Sequence, residues 1–249
     1  MKKLVVLRQY LPCFFVNLGL FIVILPLFSC TARIAGPLNA DGSAELSINA
    51  SLEPRTAALI RGFAALSGAP MSTNVLDGAN IALSMSATPG VDSVSFNNTA
   101  PATIEGTMKI SKIDDFLAGG GGSFISFEQT RSGGHCIISL SLETGPEILN
   151  LLSPEITDYL TVLMAPLATG ESMTRAEYLA DVRAVFSNII SDEIARSRLR
   201  ASITLPGIVT SARGGTFSGR RADFDIPLID LLVLETPISY EITWGAANS

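Results

Sequence analysis

The chain has 249 residues, 47% hydrophobic and only 16% charged, so it can bury a substantial core and is not a disordered polypeptide. Its formal net charge of -6 excludes nucleic-acid binding through the overall field. Three cysteines and a single histidine exclude a disulfide-dense scaffold and a His-rich zinc site.

Lys2, Lys3 and Arg8 form a basic head, an apolar run follows from Leu11 to Leu27, and Leu27-Phe28-Ser29-Cys30 closes the segment. Secretory signals use that order: positive charge held on the cytosolic side, an apolar stretch, then a cleavage region. The closing cysteine resembles the lipobox of bacterial lipoproteins, with Phe28 standing where that motif favours a small residue. An ordinary signal peptide and an uncleaved anchor helix are the alternatives. The resemblance implies cleavage before Cys30, a diacylglyceryl anchor with palmitate-type chains on it, and residence in the bacterial cell envelope. Thr31 and Ala32 lack the acidic residue that resembles an inner-membrane retention signal, so an outer membrane or cell surface is expected. Residues 1–29 are then the signal peptide and 30–249 one lipoprotein domain. Cys13 leaves with the signal, and Cys136 remains as a lone thiol in an apolar-alternating strand, where it behaves as a small hydrophobe. No later stretch approaches the ~18 apolar residues of a membrane span. The run from Ile226 to Leu234 is short and contains Pro227 and Asp230.

Leu46, Ile48, Ala50 and Leu52 alternate with Glu45, Ser47, Asn49 and Ser51, the period of a half-buried strand. Asp41-Gly42 ahead of them marks a hairpin turn with a strand from Cys30 to Leu38. Pro54 fits the first turn of a helix whose face is Leu59, Ile60, Phe63 and Leu66. A strand is expected at Ile81 to Ala87, then two more at Val91 to Phe96 and Ala102 to Ile110. A short helix at Lys112 to Leu117 leads into four glycines, Gly119 to Gly122. These lack the Gly-Lys-Ser/Thr ending or following helix of a phosphate loop and read as a connector. Ser123 to Thr130 and His135 to Leu142 form a second hairpin. Residues 145–187 are a helical block with boundaries at Pro154 and Pro166, and Thr174 with Glu177 makes a capping box. Four more strands are expected: Ser197 to Leu205, Ile208 to Ala212, Thr216 to Asp225 and Pro237 to Trp244. Strands, helices, then strands give an α+β fold: an antiparallel β-sheet with helices packed on one face, and a helical insertion at about 145–192.

Chemistry is sparse. His135 adjoins Cys136 in a strand, so the two side chains point to opposite faces and cannot form a dyad. No Gly-x-Ser-x-Gly elbow is present, and Asp114-Asp115 and Asp223-x-Asp225 are the nearest carboxylate pairs. No catalytic residue, metal site or cofactor is expected. One asymmetry stands out: Arg196, Arg198, Arg200, Arg213, Arg220 and Arg221 fall within 26 residues that hold no lysine. Arginine suits bidentate capture of phosphate or carboxylate, so this cluster is the candidate ligand-binding set. Pairing with Asp223 and Asp225 across strands is the plainer alternative.

The C-terminal stretch reads Leu205-Pro206-Gly207-Ile208-Val209, then Gly214 to Gly219, then Ala222-Asp223-Phe224-Asp225-Ile226-Pro227. It resembles the LppM domain of bacterial envelope lipoproteins, with Phe224 where such sequences often carry tryptophan. The resemblance implies a sheet-plus-helices fold, an envelope location, lipid or glycolipid binding in some members, and no catalytic residues. Two readings follow. In the first, a non-enzymatic, membrane-anchored lipoprotein binds lipid or another anionic envelope component in a cleft between sheet and helices, with arginines at its mouth. In the second, the protein is a structural lipoprotein that docks onto an envelope protein assembly. An apolar cavity favours the first, and a filled core with an exposed apolar patch the second.

Overall fold

The computed structural model describes residues 31–66, 74–119, 124–151 and 154–247. The signal segment, Cys30 and Gly120 to Gly122 lie outside these residues. In chain order the first elements are β1 (Thr31–Pro37), β2 (Ala44–Ser51), α1 (Pro54–Leu66), α2 (Gly78–Ser86), β3 (Val91–Ala100), β4 (Thr103–Ile110) and α3 (Ile113–Gly119). A hairpin of β5 (Ile125–Thr130) and β6 (Gly133–Leu140) follows, then a 3-10 helix (Gly145–Leu151) and α4 (Pro154–Val162). Next come α5 (Pro166–Thr169), α6 (Arg175–Val185), α7 (Asn188–Arg196), β7 (Arg198–Thr204) and β8 (Gly207–Arg213). The last elements are β9 (Thr216–Ser218), β10 (Arg221–Pro227), α8 (Leu228–Val233) and β11 (Ile238–Ala247).

The expected hairpin at β1–β2 forms with Gly42 at φ 82, a conformation glycine adopts without cost. Asp41 accepts hydrogen bonds from the Ser43 hydroxyl (2.7 Å) and amide (3.0 Å), which hold its carboxyl below the usual carboxylate range. The Thr174 capping box also forms. The Thr174 hydroxyl accepts from the Glu177 amide, and the Glu177 carboxylate accepts from the Thr174 amide at 2.8 Å.

Three expectations are corrected. Ile81 to Ser86 belongs to helix α2 and not to a strand, and Ala87 is the helix C-cap. Asp77 caps it by accepting from the Ala79 and Asn80 amides, and Ile81 and Met85, one turn apart, pack on Phe96 and Ile104. The period there is 3.6 and not 2. The expected strand from Thr216 to Asp225 breaks at Gly219 (φ 59) into β9 and β10. The helical block runs on through α7, so Arg196 ends a helix and does not share a strand face with Arg198 and Arg200.

Among the described residues the strands form two sheets. The larger has the order β3-β4-β2-β1-β7-β10-β9 and is antiparallel except where β1 lies parallel to β7. The smaller is β5-β6-β11-β8 and antiparallel throughout. The registers sort the larger sheet into two clean faces. Ile48, Ala50, Ile104, Met108, Leu199, Ala201, Phe224 and Ile226 share one, while Asn49, Glu105, Arg33, Arg200, Asp223 and Asp225 share the other. The apolar face is covered twice. The smaller sheet lies over one part, with Phe127, Cys136, Tyr240 and Trp244 meeting Met108, Ile110 and Phe224. Helices lie over the rest.

Candidate ligand cavity

The helical cover leaves a cavity of about 320 Å³ against the sheet. Its floor is the larger sheet, through Ala32, Ala50 and Leu199. Its roof is built by Leu160, Leu163, Leu167, Ile194, Leu228 and Leu232 from the helical elements, with Ile60 of α1 and Tyr159 of α4 at the side. Small residues on the floor explain the space. Alanines at 32 and 50 stop short of the leucines above them.

Ser51 and Arg198 also line the cavity, although the register puts them on the strand parity opposite to Ala50 and Leu199. The strand residues concerned stand at strand ends: Ala32 is the second residue of β1, Ser51 the last of β2 and Arg198 the first of β7. The cavity therefore extends to the edge where β1 begins, β2 ends and β7 begins. Among the described residues Arg198 is the only charged one in its wall.

Hydrogen bonds hold this roof in place. The Glu193 side chain, only 4% exposed, accepts from the Thr56 amide and hydroxyl (both 2.8 Å) and from the Arg55 amide (3.2 Å). A carboxylate from α7 thus caps the N-terminus of α1, whose own first turn carries no acidic residue. The Ser197 hydroxyl donates to the Glu193 carbonyl, and the Leu228 amide to the Ser197 carbonyl, which joins α7 to α8. Tyr178 is buried beside this roof and donates to the Leu163 carbonyl at 3.0 Å, and burial raises its hydroxyl pKa. Glu193 and Thr56 were not singled out from the sequence. The signal was present: Glu193 occupies an apolar-face position, three residues after Ile190 and next to Ile194, both buried.

The arginines are dispersed. Arg200 sits 3.7 Å from Asp225, and Arg221 pairs with Asp223 at 2.7 Å. These two pairs, with Arg33, line an open concavity of about 660 Å³ on the polar face of the larger sheet. That concavity is larger than the sheet–helix cavity, but two of its three arginines, Arg200 and Arg221, face carboxylates of the same sheet. Arg220 donates through Nε to the Leu205 carbonyl at 2.8 Å. Arg213 lies on the smaller sheet, 3.4 Å from Glu241. Arg196 is exposed at the end of α7. Of the six, Arg198 alone is among the residues that line the cavity.

His135 and Cys136 point to opposite faces as the strand period requires. His135 lies on the outer face, 3.7 Å from Glu241, while Cys136 packs into the sheet–sheet core, where burial pushes its thiol up to about 11. Among the described residues no group of three or more His, Cys, Asp or Glu is placed to hold a metal ion. Among the same residues, no helix is long and apolar enough to cross a membrane.

No protein-family model matches the chain, and no curated protein does. Among solved structures, it is similar to the NMR structure of the folded domain of LppM from Mycobacterium tuberculosis. That likeness covers 90% of this chain and 95% of that one, at 10% sequence identity and a TM-score of 0.40. The likeness is distant.

Proposed function

We propose that this protein is a membrane-anchored envelope lipoprotein whose sheet–helix cavity takes an apolar ligand of the acyl-chain type. The cavity carries the reading. Its volume of about 320 Å³ falls at the low end of small-molecule sites, which span about 300–1,000 Å³. Its wall is mostly leucine and isoleucine, with Arg198, Ser51 and Ser197 at the strand-end side. That distribution suits an amphiphile with one tail inside and a polar or anionic head at Arg198. Each methylene taken from water into such a site is worth about 0.8 kcal/mol, and an arginine can hold a phosphate or carboxylate bidentately. Anchoring at Cys30 rests on the basic head, apolar run and closing cysteine of the N-terminal segment.

Native mass spectrometry of the chain lacking residues 1–30, purified without detergent, tests the ligand. A retained lipid adduct is expected, and the Arg198→Gln variant should lose preference for anionic heads while still taking neutral ones. A protein with no adduct that also fails to take up a fluorescent fatty acid removes this reading and leaves the docking lipoprotein. The mass of the mature protein from lipoprotein-processing cells tests the anchor. An intact Met1 sinks it.

A further inference from the structure

The cavity reaches the edge of the sheet where β1 begins, and Ala32 is part of its floor. Cys30 precedes Ala32 by two residues, a reach of at most about 7 Å. Ala32 faces the apolar side of the sheet. We propose that one acyl chain of the lipid borne by Cys30 lodges in this cavity, so that the protein's own anchor is its resting occupant. This rests on the lipoprotein reading above and goes further by naming the occupant.

Size and tethering support this choice. A cavity at the low end of the ligand range accommodates a single chain, not a whole multi-chain lipid. A chain attached beside the opening acts at an effective concentration in the mM range, which a free lipid must outcompete. Moving the chain from bilayer to cavity exchanges one apolar medium for another, so the balance is close and a competing lipid can tip it.

A consequence follows for attachment. A single acyl chain holds a protein to a membrane only marginally, and firm attachment takes two. With one chain of a diacylglyceryl anchor withdrawn, the protein sits loosely. A free lipid that takes the cavity returns the chain to the bilayer and tightens the hold. By linkage, membrane attachment and ligand uptake then promote each other.

The test uses the full chain in lipoprotein-processing cells fed a fatty acid with a photoreactive group near its end. After irradiation and proteolysis, cross-linked peptides are mapped by mass. The expected product joins the Cys30 peptide to cavity-wall segments carrying Leu163, Leu167 or Leu232. An Ala50→Trp variant, which fills the floor, should lose those links while retaining acylated Cys30. Cavity segments linked only to free lipid overturn this inference and leave the ligand-binding reading standing. Acylated Cys30 with no cavity links of either kind overturns both. A Cys30 that carries no acyl chain overturns the inference together with the anchor.

Discussion

One face of one sheet is covered in two ways in this molecule, and the two halves end up differently filled. Under the smaller sheet, aromatic rings close the space. Phe224 meets Tyr240 edge to face at 5.5 Å, and Phe127 meets Trp244 at 6.0 Å. Glycine makes room for them. A Cβ at Gly134 would lie 2.1 Å from the Trp244 ring, and one at Gly215 would lie 2.6 Å from Phe224. Under the helices the floor is alanine and the roof leucine, and about 320 Å³ stays open. An interior is ordinarily packed as densely as an organic crystal. One half of this core meets that standard with rings, and the other keeps the open space to which the proposed ligand is assigned.

The largest expected effect lies in the filled half. Trp244, 3% exposed, should cost about 3–5 kcal/mol when replaced by alanine, because the sheet–sheet interface cannot collapse around the missing ring. Urea unfolding with an unchanged m-value reads this directly. A cost below that of an ordinary surface change would mean the two sheets are not held by this interface.

In the hollow half the stabilising feature is polar. Glu193→Ala strands the Thr56 amide and hydroxyl in a buried site and removes the cap of α1. A loss of about 2–3 kcal/mol is expected, since buried donors without partners carry that order of penalty. Lipid retention should fall with it, because α1 forms a side of the cavity. If stability drops while lipid retention is untouched, α1 is not part of the wall.

Two glycines compare the halves most sharply. Gly134→Ala drives a methyl into the Trp244 ring between paired strands, and overpacking of this kind costs about 1–3 kcal/mol. At Gly145 the nearest atoms to an added Cβ are the Leu234 and Leu167 methyl ends, at 2.3 and 2.9 Å. Both leucines line the cavity and have open space to move into. Gly145→Ala should therefore change stability by less than about 1 kcal/mol, helped by the reduced freedom of the unfolded chain. Equal costs at the two positions would mean the cavity offers no room.

The two halves were also unequally legible in the sequence. Strands of the larger sheet show the period-2 pattern because one face is solvated, and Asp41-Gly42 and Thr174…Glu177 carry their own turn and cap chemistry. The α+β architecture followed from these. Helix α2 differs from the strand expected there because Ile81-Ala82-Leu83-Ser84-Met85 fits either period over so short a run. Its cap, Asp77, decided for the helix. The parallel contact of β1 with β7 joins residues far apart in the chain, and no local pattern encodes it. The cavity was invisible for a similar reason. Alanine at positions 32 and 50 reads as an ordinary buried residue until the roof above it is known. The arginines illustrate the reverse case. They stand close in sequence, yet a helix end, two sheets and a turn carry them apart, and one of six reaches the cavity.

The polar face of the same sheet gives the smallest and most specific prediction. Arg221 donates through Nε to Asp223 at 2.8 Å, with Nη2 at 2.7 Å. That hydrogen bond lowers the Asp223 pKa below its ordinary value of 3.8, with burial opposing it weakly. A carboxyl whose pKa is depressed by folding contributes stability above its unfolded pKa and loses it as pH falls through the folded one. The Asp223 and Arg221 side chains are 38% and 61% exposed, so solvent screens the pair and its worth stays under about 1 kcal/mol. Thermal melts of the native chain and of Asp223→Asn should therefore differ slightly at pH 7. The difference should close as pH drops below 3.8 and shrink in high salt. Lipid retention should not change, because this pair faces away from the cavity. If Asp223→Asn instead empties the cavity of lipid, the two faces of the sheet are coupled. The concavity holding Arg33, Arg200 and Arg221 would then belong to the ligand's path as well.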